Sequence, residues 1–196
     1  MMETVKLQVR LTKRDLKETA GRYHFREEDF LLLDALYQGI LPLLQITAYY
    51  RWGKTGRQIQ YEEYAIVFLT LGDGIDALQN VYLERKCLSE AYIIECVSLA
   101  ILDKAYAEFV KQFQKKTGKW AEKIDFLGDT YPMELLPELY NEFEFMDITY
   151  NENLVLLPSK SVAFLLPVSV GKQEGACHIC SRCQNIRCIF RKEPVV

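Results

Sequence analysis

Histidine is almost missing from this chain: His24 and His178 are the whole supply in 196 residues. A centre built on several imidazoles is thereby excluded, and a Ser-His-Asp triad has little to draw on. Long apolar runs are missing too. A membrane span needs about 18 or more consecutive apolar residues. The longest uncharged stretch, Ala35 to Tyr50, is shorter and is interrupted by Gln38, Pro42 and Gln45. The first residues, METVKLQVRLTKR, are charged throughout. They have neither the form of a signal peptide nor that of a transit peptide, so a cytoplasmic protein is expected, with no membrane contact. A basic stripe along the body is also lacking. Residues 1–26 carry seven Lys/Arg and three Asp/Glu, residues 172–196 carry five and two, and the total is −3. The segment between the two basic ends is therefore at −10, which argues against a nucleic-acid groove.

Cysteine is what the chain does have. Cys87 and Cys96 stand apart and are expected to pack as small apolar residues among helices. The other four, Cys177, Cys180, Cys183 and Cys188, crowd into twelve residues. Thiols of a reducing compartment seldom cluster without a role, and this spacing supplies four thiolates to one centre. Two close pairs suit tetrahedral zinc, while the spacing lies one residue from the bacterial ferredoxin run, without its following proline. Either a zinc site or an Fe-S cluster is open on this reading. Arg182, Arg187 and Arg191 would favour the thiolate form.

Hydrophobic periodicity divides the chain into strands at both ends and helices between. Val5, Leu7, Val9 and Leu11 alternate as in a strand. Thr12 can cap a helix to Ala20 that Gly21 would stop in a left-handed conformation. A second helix is expected over Arg26–Gln38, ended by Gly39 and Pro42. Leu44–Trp52 and Tyr64–Leu71 read as strands, with Gly53–Gly56 as a turn and Arg57–Tyr61 as a returning hairpin. The fragment GKT in that turn lacks the glycine spacing and following helix of a phosphate loop. Asp73 is placed to cap a helix with Ile75, Leu78, Val81 and Tyr82 on one face. Ser89–Lys116 is expected to be the long core helix, Gly118–Tyr131 a loop, and Met133–Phe143 a helix opened by Pro132. Strands are expected at Asp147–Tyr150, Leu154–Leu157 and Ser161–Ser169. The order predicts an α+β fold, helices packed on an antiparallel sheet. The domain would span residues 1–170, with 171–196 as a Cys-rich tail.

Three patches in this order resemble the activation domain of cobalamin-dependent methionine synthase in a small stand-alone form. They are Thr70-Leu71-Gly72-Asp73-Gly74-Ile75-Asp76, Tyr131-Pro132-Met133-Glu134-Leu135 and Leu157-Pro158-Ser159-Lys160-Ser161-Val162. The resemblance covers roughly residues 64–191. It implies an accessory subunit for reductive reactivation of cobalamin, presenting S-adenosylmethionine to a corrinoid held by a separate partner. The family's ligand loop reads Arg-x-x-x-Gly-Tyr ahead of its Pro-Leu-Glu helix. Aligned without gaps on Pro132, Lys123 falls at the arginine, Leu127 at the glycine and Gly128 at the tyrosine. A one-residue shift puts Gly128 on the glycine and leaves no arginine. A lysine keeps the charge but not the bidentate fork. On the resemblance, Lys123, Gly128, Asp129, Tyr131, Lys160 and Ser161 are the candidate cofactor-binding residues, with no catalytic side chain. The alternative is a non-enzymatic protein of the same fold whose metal or Fe-S tail carries electrons or binds a partner.

Overall fold

A computed structural model describes residues 1–53 and 59–171. Its strands are β1 (Glu3–Lys6), β2 (Thr47–Trp52), β3 (Tyr64–Thr70), β4 (Trp120–Ala121), β5 (Asp125–Phe126), β6 (Thr149–Tyr150), β7 (Leu156–Leu157) and β8 (Ser161–Ser169). Its helices are α1 (Lys13–Arg22), α2 (Phe30–Ile40), α3 (Gly74–Glu84), α4 (Leu88–Thr117) and α5 (Leu136–Tyr140). The main sheet is antiparallel in the order β1-β2-β3-β8-β4, with β5 also pairing β8. A two-stranded ribbon, β6-β7, stands apart from it.

Every residue of β3 is buried, which places it at the centre. Its side chains divide by strand alternation. Ala65, Val67 and Leu69 join the core under α1, α2 and α4, together with Ala48, Tyr50, Phe164 and Leu166. Tyr64, Ile66 and Phe68 enter a second core with Tyr49, Ala163 and Leu165, closed by Leu127, Tyr131, Leu136, Leu139, Phe143 and Ile148. The expected helical layer is thus present on one face of the sheet. The other face is also covered, by the segment from Leu127 to Leu156.

Local chemistry sets the helix ends. Thr12 and Asp15 form a capping box at the start of α1. Gly21 does not stop that helix. His24 takes the left-handed conformation (φ 57°), and Phe25 N–H donates to Ala20 O at 2.9 Å, the bonding of a Schellman motif. Burial of Phe25 against the core selects that ending over one at the glycine. Gly118 (φ 72°) ends α4, donating to Gln114 O at 2.8 Å.

Other expectations are narrowed. Glu27–Asp29 form a separate 3-10 turn before α2, and Leu41–Leu43 another after it. The helix expected over Met133–Phe143 is a 3-10 turn, Met133–Leu135, followed by the short α5. Pro137 lies in the first turn of α5 and has no N–H to continue a helix from the preceding turn. Pro132 is the residue before the turn rather than its first member. Asp73 makes no side-chain cap, but its carbonyl accepts from Ala77 N–H at 3.1 Å. The expected loop at 118–131 contains β4 and β5, both drawn onto β8. Cys96 is buried as expected, but Cys87 is only half-buried, its Sγ 3.7 Å from Arg85 O. Most of the Gly53–Gly56 turn and the first residues of the expected return strand lie outside the described residues; Gln60 and Tyr61 are not in a strand.

Candidate functional site

The loop singled out by the resemblance is held by β5. Asp125 pairs with Leu165 and Phe126 with Phe164, and Leu127 N–H donates to Ala163 O at 3.2 Å. The chain then folds back tightly. Gly128 is left-handed (φ 86°), and its N–H donates to Tyr131 O at 2.7 Å. A Cβ on Gly128 would meet Met133 Cε at 3.1 Å. The left-handed residue is therefore Gly128 and not Leu127, which is buried and bridges to Tyr131. In backbone terms the chain follows the one-residue shift of the family motif.

Lys123 lies in the connection between β4 and β5, two residues before Asp125 at the start of β5. The Lys123 ammonium lies 3.1 Å from the Asp125 carboxylate, and Asp125 is buried. The Tyr61 hydroxyl donates to the same carboxylate at 2.6 Å, and Lys123 sits over the Tyr61 ring, 5.2 Å from its centre. Burial opposes the charge on Lys123, but hydrogen bonds to Tyr61 and Asp125 outweigh it and raise its pKa. The Tyr131 phenol is also raised, chiefly by burial, with Tyr61 and Asp125 adding to it. Asp129 lies on the exposed tip of the loop beside Gly128.

Ser161 opens β8 and Lys160 is the turn residue before it, and their side chains go to different partners. Ser161 Oγ is 2.9 Å from Thr70 Oγ1, across the Thr70–Ser161 register pair. Lys160 is buried toward the helices, its ammonium 2.8 Å from Glu95 of α4 and 2.9 Å from Ser159 Oγ. Ser159 in turn donates from its backbone N–H to Asp76 of α3 at 2.6 Å. Of the six candidates, the structure groups Lys123 with Tyr131 around Asp125 and Tyr61, and Gly128 with Asp129 on the adjoining loop tip. Ser161 stands two residues along β8 from the point where that loop leaves it. Lys160 belongs to a separate network with the α3–α4 pair.

A cleft of about 500 Å³ opens near Ser161, between the start of α3 and the β6-β7 ribbon. Thr70, Gly72, Asp73, Asp76, Asp147 and Thr149 are among its lining residues. Asp147 accepts from the Tyr49 hydroxyl at 3.0 Å. Sequence reading missed Asp125 and Tyr61. The short Lys-x-Asp spacing of Lys123 and Asp125 was an available signal for the first. Tyr61 had none, because its approach depends on tertiary packing. Among the described residues no group of three or more Cys, His, Asp or Glu side chains is arranged to hold a metal ion. Cys177, Cys180, Cys183 and Cys188 lie outside the described residues. Among the described residues no helix is long and apolar enough to cross a membrane.

These features define an α+β domain with a central antiparallel sheet covered on both faces and a tight glycine loop on one flank. No family model matches the chain, and no curated protein matches it in sequence. Among solved structures it is similar to one described as the crystal structure of the MetH reactivation domain bound to AdoHcy. The TM-score is 0.60 at 9% identity, over 90% of this chain and 81% of that one. The chain has the fold of that reactivation domain, as the three ordered patches implied.

Proposed function

We propose that this protein is an accessory subunit for reductive reactivation of a cobalamin-dependent methionine synthase or a related corrinoid protein. The observation that carries the reading is the fold match to a reactivation domain bound to AdoHcy, over nine-tenths of the chain. The left-handed Gly128 in the loop that the resemblance assigned to the ligand supports it. When bound, S-adenosylmethionine would supply the methyl group that the partner's corrinoid receives. This chain's part is positional. The Gly128–Tyr131 turn, with Asp129 at its tip and Lys123 at its base, forms the ligand edge, and Ser161 stands beside it on β8. Lys160 stands apart from that edge, paired with Glu95 of α4. No histidine is required for this role, in keeping with the composition.

Calorimetry with S-adenosylmethionine, alone and with a cobalamin-loaded partner subunit, tests the proposal. Binding in either condition, strengthened by the partner, is expected. Absence of binding in both overturns it. The four tail cysteines favour a second reading, a metal- or Fe-S-tailed electron carrier or interaction protein that keeps the fold. Binding of S-adenosylmethionine separates the two.

A further inference from the structure

We infer that the cleft between the start of α3 and the β6-β7 ribbon is a binding site for an organic polycation of the aliphatic polyamine class. The inference stands apart from the proposed function, and neither depends on the other.

The cleft holds about 500 Å³, within the range of about 300–1,000 Å³ usual for small-molecule sites. Three carboxylates line it, Asp73 and Asp76 on the α3 side and Asp147 on the ribbon side, and no Lys or Arg does. Their bonds within the fold are to neutral groups. Asp147 accepts from the Tyr49 hydroxyl at 3.0 Å, Asp76 accepts from Ser159 N–H at 2.6 Å and from its hydroxyl, and Asp73 makes no side-chain cap. Lys160 reaches Asp76 only through the Ser159 hydroxyl, and its ammonium is held by Glu95 at 2.8 Å. The N-terminus of α3 offers Asp73 and Asp76 a partial charge of about +0.5, less than the two charges they carry. The field beyond the lining has the same sign. Residues 124–159 contain eight Asp/Glu and no Lys or Arg, and they include the ribbon wall. Such a cleft gathers cations.

The chemistry of the walls favours an organic cation over a metal ion. Among the described residues no three Cys, His, Asp or Glu side chains are arranged to hold a metal, so the three carboxylates do not converge on one point. Leu157 and Pro158 line the same cleft, and Leu157 is exposed. Methylene groups can cover that apolar wall while ammonium groups meet the carboxylates. A polyamine carries both in one chain. The backbone around Asp73 is also set before any ligand arrives. A Cβ on Gly72 would meet Gln45 Cβ at 3.0 Å, and one on Gly74 would meet Leu43 O at 2.9 Å. The chain on both sides of Asp73 therefore packs directly on residues 43–45, which lowers the ordering cost of binding.

Calorimetry on the full chain at low ionic strength compares spermidine, butylamine, MgCl2 and a trilysine peptide. Spermidine is expected to bind at one site per chain, about tenfold or more tighter than butylamine or Mg2+, and to weaken as salt is added. Asp73→Asn removes a carboxylate that caps nothing, so the melting temperature should hold while spermidine affinity falls about fivefold. Glu152→Gln, in the exposed turn between β6 and β7, is the control and should change the affinity by less than about twofold. Equal losses in the two variants overturn the inference, because diffuse surface charge would then be the binder. Absence of spermidine binding overturns it too, as does Mg2+ binding equally tightly. Trilysine binding about tenfold or more tighter than spermidine also overturns it and assigns the cleft to a basic protein segment. None of these results bears on S-adenosylmethionine binding.

Discussion

The ammonium of Lys160 lies 2.8 Å from the Glu95 carboxylate, joining the start of β8 to the middle of the long helix α4. Glu95 also accepts from Gln79 of α3 at 3.1 Å, and Ser159, next to Lys160, bonds Asp76 of the same helix through both its N–H and its hydroxyl. The β7–β8 turn is thereby fastened to both helices of the α3–α4 pair. Removing the cation leaves Glu95 and Ser159 without it. Breaking a buried pair costs about 3–5 kcal/mol, but Glu95 keeps some contact with water, so Lys160→Ala is expected to lose about 2 kcal/mol. Urea unfolding measures this, and a double-mutant cycle with Glu95→Gln should return a coupling of about 1 kcal/mol. A coupling near zero would show that the pair is not what holds the turn.

Gly128 is expected to tolerate no side chain cheaply. Its left-handed backbone costs a Cβ-bearing residue about 1–2 kcal/mol. The contact with Met133 Cε at 3.1 Å adds less, because a methionine end can move. Gly128→Ala should therefore lower stability by about 1 kcal/mol and weaken S-adenosyl ligand binding more than Asp129→Ala does. Thermal unfolding and calorimetry on the two variants check the order.

Cys96 couples stability to alkaline pH. Burial, opposed by the Tyr92 hydrogen bond and reinforced by the charge of Glu95, raises its thiol from 9.0 to about 11. The folded chain thus holds this proton more tightly than the unfolded one. Its contribution is complete below pH 9 and falls away as pH rises toward 11, where the unfolded chain has already released the proton. Stability should decline across that window, and Cys96→Ala should make the decline shallower. Equilibrium unfolding at closely spaced pH values reads the slope. In the folded protein at pH 8, a thiol reagent should modify Cys87 well before Cys96, as peptide mapping would show.

The tail can be tested without any structure of it. Four thiolates at Cys177, Cys180, Cys183 and Cys188 predict one metal centre per chain. Anaerobic purification with metal analysis and an absorption spectrum distinguishes its kinds. Iron, sulfide and a brown colour mark a cluster, whereas zinc without colour marks a structural site. Cys180→Ser should lower the metal content sharply in either case. A metal-free protein ends the tail-metal reading.

Much of the fold was legible because its signals are local. The run of aromatic and β-branched residues in β3, the capping residue Thr12 and the long apolar run of α4 each announce their element within a few residues. The losses came where distant contacts decide. Gly21 looked like the end of α1, but burial of Phe25 moved the left-handed residue to His24. The run after Tyr131 looked like one helix, until Pro137 in the first turn of α5 split it. The candidate residues could be named from the sequence, but how they stand to one another could not. Lys160 and Ser161 are neighbours in sequence, yet Lys160, in the turn before β8, reaches Glu95 of α4 while Ser161 meets Thr70 across the sheet.

The sequence by itself determined the α+β class, the helices over one face of the sheet, the acidic body with basic ends, and the near-absence of histidine chemistry. Periodicity, capping and composition are properties of short segments and survive without a folded context. Only the tertiary structure decided that the second face of the sheet is covered as well, and that Lys123 is held by Asp125 and Tyr61. Those facts depend on which strands pair and in what register, and pairing brings together groups as far apart in the chain as Tyr61 and Asp125.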